Sequence, residues 1–251
     1  MRSALDKTGT MPIARAARDR IQPEAAGRRR FQAWLLEADE LDNQRMRIAM
    51  VAALTPQSNC IDVGAATGEF FAELHRIAPG GHHIAYEPLP AQVDALTRRF
   101  PDADVRALAL GNEIGEADFT HVRNAAGWSG FRASAIQTAE PPDLVTVRVR
   151  TSRLDDDLPS DYHPDLIKVD VNGAEEGFLL GAMNTLRQHK PLLLLEHGLA
   201  AGAYGTTSGD IHRLLVDEAG LRVFDLDGVG PLSLDEFVHA ATTKWNFLAR
   251  R

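Results

Sequence analysis

From Phe31 to Ala53 the apolar positions Phe31, Trp34, Leu35, Ala38, Leu41, Met46, Ala49, Met50 and Ala53 recur at largely helical spacing, and Pro56 ends the run. Beyond it the apolar runs shorten. Cys60, Ile61 and Val63 read as a buried strand, Gly64 to Gly68 interrupt it, and Phe70 and Phe71 resume an apolar face. His83 to Tyr86 is a second strand, and DADVRALAL supplies a third before Gly111, Asn112 and Gly115 turn the chain. EADFTHV and VTVRVRT alternate with the period of two that predicts strands. PDLIKVDV enters the core, GAEEGFLLGAMNTL predicts an amphipathic helix, and PLLLLEH is continuously apolar, as a strand covered by helices on both faces is. DIHRLLVDEAG predicts another helix, ended by Gly220, and LRVFDLDG and KWNFLARR predict two strands joined through VGPLSLDEFVHAATT.

The stretch NCIDVGAATGEFF is a strand, a tight turn and a helix start. The first turn of a helix presents unpaired backbone N–H groups, and small residues let a ligand approach them. Gly64 and Gly68 are four apart with Ala66 between them, a poor match to the G-x-G-x-x-G of nicotinamide sites. Glu87, followed by Pro88 at the end of the second strand, lies close to the distance, about 20 residues past such a turn, at which an acid accepts hydrogen bonds from ribose hydroxyls. An ordinary α/β turn and a solvated strand end are the competing readings of these two pieces.

Composition narrows the class. The 251 residues, 44% hydrophobic and 25% charged, suit one globular α/β domain with an added N-terminal element. The single cysteine, Cys60, reads as a small buried hydrophobe. A net charge of −8 argues against nucleic-acid binding, which depends on neutralising phosphates. Basic residues do gather in ARAARDRIQPEAAGRRRF, which reads as a solvated arm, with contact to an anionic partner as the alternative. No apolar run approaches the roughly 20 residues that span a bilayer, and no signal-peptide core is visible, so a cytoplasmic location is the expectation.

Taken together, IDVGAATG, AYEPLP, VRALALGNEIGEADF and DLIKVDVNGAEEGFLLGAMNTLRQHKPLLLLEH resemble the class I S-adenosylmethionine-dependent methyltransferases, and more narrowly the FkbM family. The resemblance implies a Rossmann-like α/β fold: a mostly parallel seven-stranded sheet, an antiparallel last strand and helices on both faces. Composition and spacing set off a basic arm (1–30) and a helical element (31–57), which covers the cofactor or simply packs on the sheet, ahead of the methyltransferase domain (58–251) that the resemblance implies. It also implies S-adenosylmethionine held by Asp62, Gly64, Ala65, Ala66, Gly68, Glu87, Pro88 and Leu110. One position departs from the family, which commonly has Glu where this chain has Asn172; an amide cannot serve there as a general base.

Ligands of open α/β sheets bind beyond the carboxyl ends of the strands. That rule gathers Asp62, Glu87, Asp170, Asn172, Glu196 and His197 on one rim. Methyl transfer to a hydroxyl needs an in-line acceptor and a proton acceptor. Asp170 and His197 are the catalytic candidates, His197 for its pKa near 6.5. Asp170, Glu196 and His197 are also candidate ligands for Mg²⁺, by analogy with sugar O-methyltransferases of related fold that place acidic ligands at the ends of strands four and five. The competing reading has Asp170 contacting the cofactor or capping a helix, Glu196 held by basic neighbours and His197 packing. Trp128 and Tyr204 lie in glycine-rich loops, where each either stacks on a sugar or adenine ring or anchors its loop.

The expected activity is O-methylation of a hydroxyl on a saccharide or glycosylated metabolite. The resemblance extends to mycobacterial enzymes acting on methylmannose or similar polysaccharides. Methylation of a polyketide or phenolic hydroxyl, and a non-catalytic cofactor-binding scaffold, are the alternatives. Expected partners are a small-molecule or oligosaccharide acceptor and a second copy in a homodimer.

Overall fold

The computed structural model describes residues 23–132 and 141–251. Most of the expected N-terminal arm therefore lies outside the described residues. A long helix, α1 (Pro23–Ala53), starts eight residues earlier than Phe31, inside the segment read as that arm. Met46 and Met50 anchor it on the sheet.

The elements that follow are β1 (Cys60–Val63), α2 (Glu69–Ile77), β2 (His83–Tyr86), α3 (Pro90–Arg99), β3 (Asp104–Arg106), β4 (Ala109–Leu110), β5 (Gly115–Val122) and β6 (Leu144–Ser152). Then come α4 (Leu154–Asp157), β7 (Leu166–Val169), α5 (Glu175–Gly181), α6 (Met183–His189), β8 (Leu192–Glu196), α7 (Ser208–Arg213), β9 (Arg222–Asp225), α8 (Leu234–Ala240) and β10 (Asn246–Arg250). Seven strands form one sheet in the order β3-β2-β1-β7-β8-β10-β9, and β10 runs antiparallel to both of its neighbours. This is the expected Rossmann-like arrangement.

Strand alternation sorts the core into two layers. Ile61, Val63, Ile84, Ile167, Val169, Leu193 and Leu195 face one layer with Phe178, Leu186 and Phe237. Cys60, Ala85, Leu166 and Leu194 face the other, under Met46, Met50, Phe71 and Leu74. Cys60 is wholly buried there, and that burial pushes its thiol up to about 12, which leaves it a packing group.

Three expectations about elements change. DADVRALAL is not one strand: β3 belongs to the large sheet, whereas β4 joins β6 and β5 in a separate three-stranded sheet. GAEEGFLLGAMNTL forms two short helices, α5 and α6, that meet at Ala182. VGPLSLDEFVHAATT contains a helix, α8, whose Ser233 and Glu236 make a reciprocal capping box. Among the described residues no helix is long and apolar enough to cross a membrane.

Candidate functional site

Two adjacent strand ends create the turn. Gly64 and Ala65 donate their N–H groups to the Tyr86 carbonyl at 3.0 and 3.1 Å, tying the end of β1 to that of β2. Gly64 has φ +81°, and a Cβ on it would stand 2.0 Å from the Asp170 carbonyl oxygen. Gly68 has φ +85°, and its Cβ would stand 2.7 Å from Leu96 and 2.9 Å from Phe100. Packing of the chain against itself thus requires both glycines.

Glu87 closes the turn from the side. It is 4% exposed, and its two carboxylate oxygens accept from Ala66 N and Leu89 N, both at 2.9 Å. The Gln92 amide satisfies both oxygens as well, at 3.0 and 2.9 Å, when its nitrogen faces them. Burial pushes the carboxyl up to about 7 despite the two N–H groups.

In front of this turn is a cleft of about 610 Å³, part of it open to solvent. Of the expected residues, Gly64, Ala66, Glu87, Pro88, Leu110, Asp170 and Asn172 line it. Asp62, Ala65 and Gly68 do not line it. Phe119, Ser129 and Phe131, contributed by β5 and the loop after it, also line the cleft and carried no motif in the sequence. Gly127 and Ser129 on either side of Trp128 belong to the wall.

Asn172 adopts a left-handed conformation, φ 52°, and its Nδ2 donates to the Ser129 carbonyl at 3.1 Å. Asparagine tolerates that conformation better than most residues do. The departure at this position therefore suits a tight turn that ties β7 to the loop carrying Ser129.

Behind the cleft lies a buried charge cluster. Parallel register sets Asp62 of β1 beside Lys168 of β7, and Asp170 follows two residues on, along the same face. Lys168 Nζ stands 3.1 Å from Asp170 Oδ2 and 3.7 Å from Asp62 Oδ1. Burial alone would lower the Lys168 ammonium, but the Asp170 and Asp62 carboxylates hold it above its usual range. Asp62 is wholly buried, neither of its oxygens has a hydrogen-bond partner among the described residues, and burial pushes it up to about 6. Burial and the nearby Asp170 and Glu175 carboxylates raise Glu196 well above its usual value. Burial and the Asp170 charge likewise raise Asp39 of α1. The N-terminal helix therefore both packs on the sheet and brings a carboxylate toward Asp170.

His197 is elsewhere. It is 2% exposed, its Nε2 lies 2.9 Å from Ser208 Oγ, and its ring stacks on Phe237 with centroids 5.8 Å apart. Burial lowers it to about 4. Neither it nor Glu196 lines the cleft. Asp170 and Glu196 share the face that carries Lys168, whereas His197 faces the opposite core layer, so the three expected Mg²⁺ ligands do not converge. Among the described residues no group of three His, Cys, Asp or Glu side chains is arranged to hold a metal ion. The donor set does not fit the cation.

The profile of the methyltransferase FkbM domain matches residues 62–223, well over half of the chain. A methyltransferase FkbM structure from Methylobacillus flagellatus is similar over 79% of this chain and 44% of its own, with 17% identity and a TM-score of 0.50. The chain thus spans under half the length of that structure. A TehB-like S-adenosylmethionine-dependent methyltransferase from Corynebacterium glutamicum matches over 81% of this chain and 84% of its own, with 15% identity and a TM-score of 0.44. A plantazolicin methyltransferase in complex with S-adenosylhomocysteine matches over 94% and 93%, with 9% identity and a TM-score of 0.44. No curated protein matches the chain. With the sheet order, the glycine turn and the matched span in agreement, the chain belongs to the FkbM family of methyltransferases.

Proposed function

We propose that this protein is an S-adenosylmethionine-dependent O-methyltransferase that acts on a hydroxyl of a saccharide or glycosylated metabolite. The observation that carries the reading is one cleft lined by the Gly64–Ala66 turn, by Glu87 and by Asp170 with Asn172. When bound, the donor supplies a methyl group already activated by its sulfonium. Ala66 and Leu89 take one lone pair on each Glu87 oxygen and the Gln92 amide faces the others, so the ribose hydroxyls bind Glu87 by displacing that amide. The orphaned Asp62 carboxylate and the excess of acids over Lys168 suit a positively charged ligand.

Asp170 is the proton acceptor in this reading. It lines the cleft where an in-line hydroxyl must lie, and Lys168 stabilises its charge. The hydroxyl oxygen attacks the methyl carbon, the carbon–sulfur bond breaks with its electron pair on sulfur, and the hydroxyl proton passes to Asp170. His197 has no part in the step, because its ring lies in the far core layer. No step passes through a metal, because the expected ligands do not converge and Lys168 already stands against Asp170.

Calorimetric titration with S-adenosylhomocysteine, followed by transfer of a labelled methyl group to a panel of sugars and phenols, tests the reading. Binding of NADH without binding of S-adenosylhomocysteine would overturn it. Transfer to phenols alone would favour the polyketide or phenolic acceptor.

A further inference from the structure

A second cleft, of about 1070 Å³ and also partly open, lies beside the first. The two share Phe131 as a wall. Asn172 lines the first and its neighbour Gly173 the second, so the path between them crosses one peptide beside Asp170. Gly173 is held in place there: its φ is +99°, and a Cβ would stand 2.5 Å from the Ala200 carbonyl oxygen and 2.8 Å from the Tyr204 ring. Tyr204 is held as well, since its Oη accepts from Arg132 N at 3.2 Å and the Arg132 guanidinium lies 5.4 Å from its ring centroid. The boundary between the two clefts is therefore built from fixed parts.

The chemistry of the second cleft is distinctive. Three carboxylates, Glu113, Glu116 and Glu176, line it from opposite walls, against the single guanidinium of Arg132. Arg132 donates to the Ala203 carbonyl at 3.0 Å. Glu176 accepts from Thr206 Oγ1 at 2.6 Å, and Arg148, outside the lining, stands 3.5 Å from Glu116. Between the acids, Ile114 and Leu180 expose apolar side chains at 65% and 44%.

We infer that this second cleft is the acceptor site of the transferase and that it takes an oligosaccharide without acidic groups, laid across Glu113, Glu116 and Glu176 with one hydroxyl reaching over Gly173 toward Asp170. The inference rests on the methyltransferase reading above and adds the acceptor's place and class to it. Ionised carboxylates only accept hydrogen bonds, so their partner must donate from several directions, as a polyol does. A phenolic ring with one hydroxyl would leave most of these acceptors to water. An acidic sugar would meet like charge on both walls. The exposed Ile114 and Leu180 side chains among the acids suit the C–H faces of sugar rings.

The test uses the full chain loaded with S-adenosylhomocysteine and three probes: a neutral glucan oligosaccharide, an oligogalacturonide of equal length and a simple phenol. Saturation-transfer NMR should show contact with the neutral probe and at least tenfold less with the other two. Leu180→Trp and Ile114→Trp, both at exposed positions, should each cut that contact by about tenfold while S-adenosylhomocysteine affinity stays within twofold. Glu113→Lys should move the preference several-fold toward the oligogalacturonide. If wild-type protein does not bind S-adenosylhomocysteine, the methyltransferase reading itself fails. If it does, the acceptor site is overturned by absence of contact with the neutral oligosaccharide, or by contact that both tryptophan variants leave unchanged.

Discussion

Glu196 and His197 are consecutive in the chain and face opposite sides of the central sheet: Glu196 is turned to the layer that holds Asp170 and Lys168, and His197 stacks on Phe237 in the other. This separation decides what each can do. It makes His197 a packing residue whose ring holds the start of α7 through Ser208.

His197→Ala should therefore lower stability by roughly 2–4 kcal/mol, in the range of large-to-small core changes, and leave S-adenosylhomocysteine affinity within about twofold. Calorimetry on the folded fraction checks the second point, and a tenfold loss of affinity would refute it. The same histidine makes stability depend on pH. Its folded pKa, about 4, lies below its unfolded value near 6.5, so its contribution is full above that value and falls as pH drops from about 6.5 toward 4. His83, which burial also lowers, acts in the same direction. Urea unfolding at pH 7.5 and 5 should show this fall, and the His197→Phe variant should show less of it.

Glu87→Gln tests the turn. Glutamine offers one oxygen where Ala66 N and Leu89 N now have two, so one buried N–H loses its acceptor, at a cost of about 1–3 kcal/mol. S-adenosylhomocysteine affinity should fall at least tenfold, because the ribose hydroxyls lose a carboxylate. Unchanged affinity would remove Glu87 from the donor site.

Lys168→Met leaves Asp62 and Asp170 without their cation. Removing one partner of a buried ion pair costs about 3–5 kcal/mol. The Asp62 carboxyl is already pushed up to about 6, so the loss should be larger at pH 8, where it must ionise, than at pH 5, where it can take a proton. Lys168→Arg should recover part of the loss. Equal destabilisation by Met at both pH values would show that the lysine matters for packing alone.

Exhaustive chelation should leave S-adenosylhomocysteine binding and methyl transfer intact, because the positive charge against Asp170 is carried by the protein itself. Loss of transfer on chelation with recovery on adding Mg²⁺ would restore a metal to the mechanism.

Much of the glycine turn and the acid beside it was legible in the chain because their signals are local. A short apolar strand, a turn that only small residues can make and an acid at the next strand end lie within 30 residues of one another, and local backbone geometry enforces each. The continuous apolar run of β8 marked a covered strand in the same way. Two further features follow from the same local logic. Strand period alone forbids residues 196 and 197 from sharing a face, and S-L-D-E at Ser233 to Glu236 is a capping box that announces α8.

What the sequence by itself determined is most of the strand order along the chain, the glycine turn, the place of Glu87 and the family, all carried by patterns among near neighbours in the chain. Tertiary structure alone decided the rest. Lys168 meets Asp62 only because β1 and β7, 106 residues apart in register, lie side by side. The break at Ala107 sends β4 into a second sheet, and that sheet brings Phe119, Glu113 and Glu116 to the two clefts. Contacts between distant segments depend on register and on which sheet a strand joins, and one chain's periodicity encodes neither.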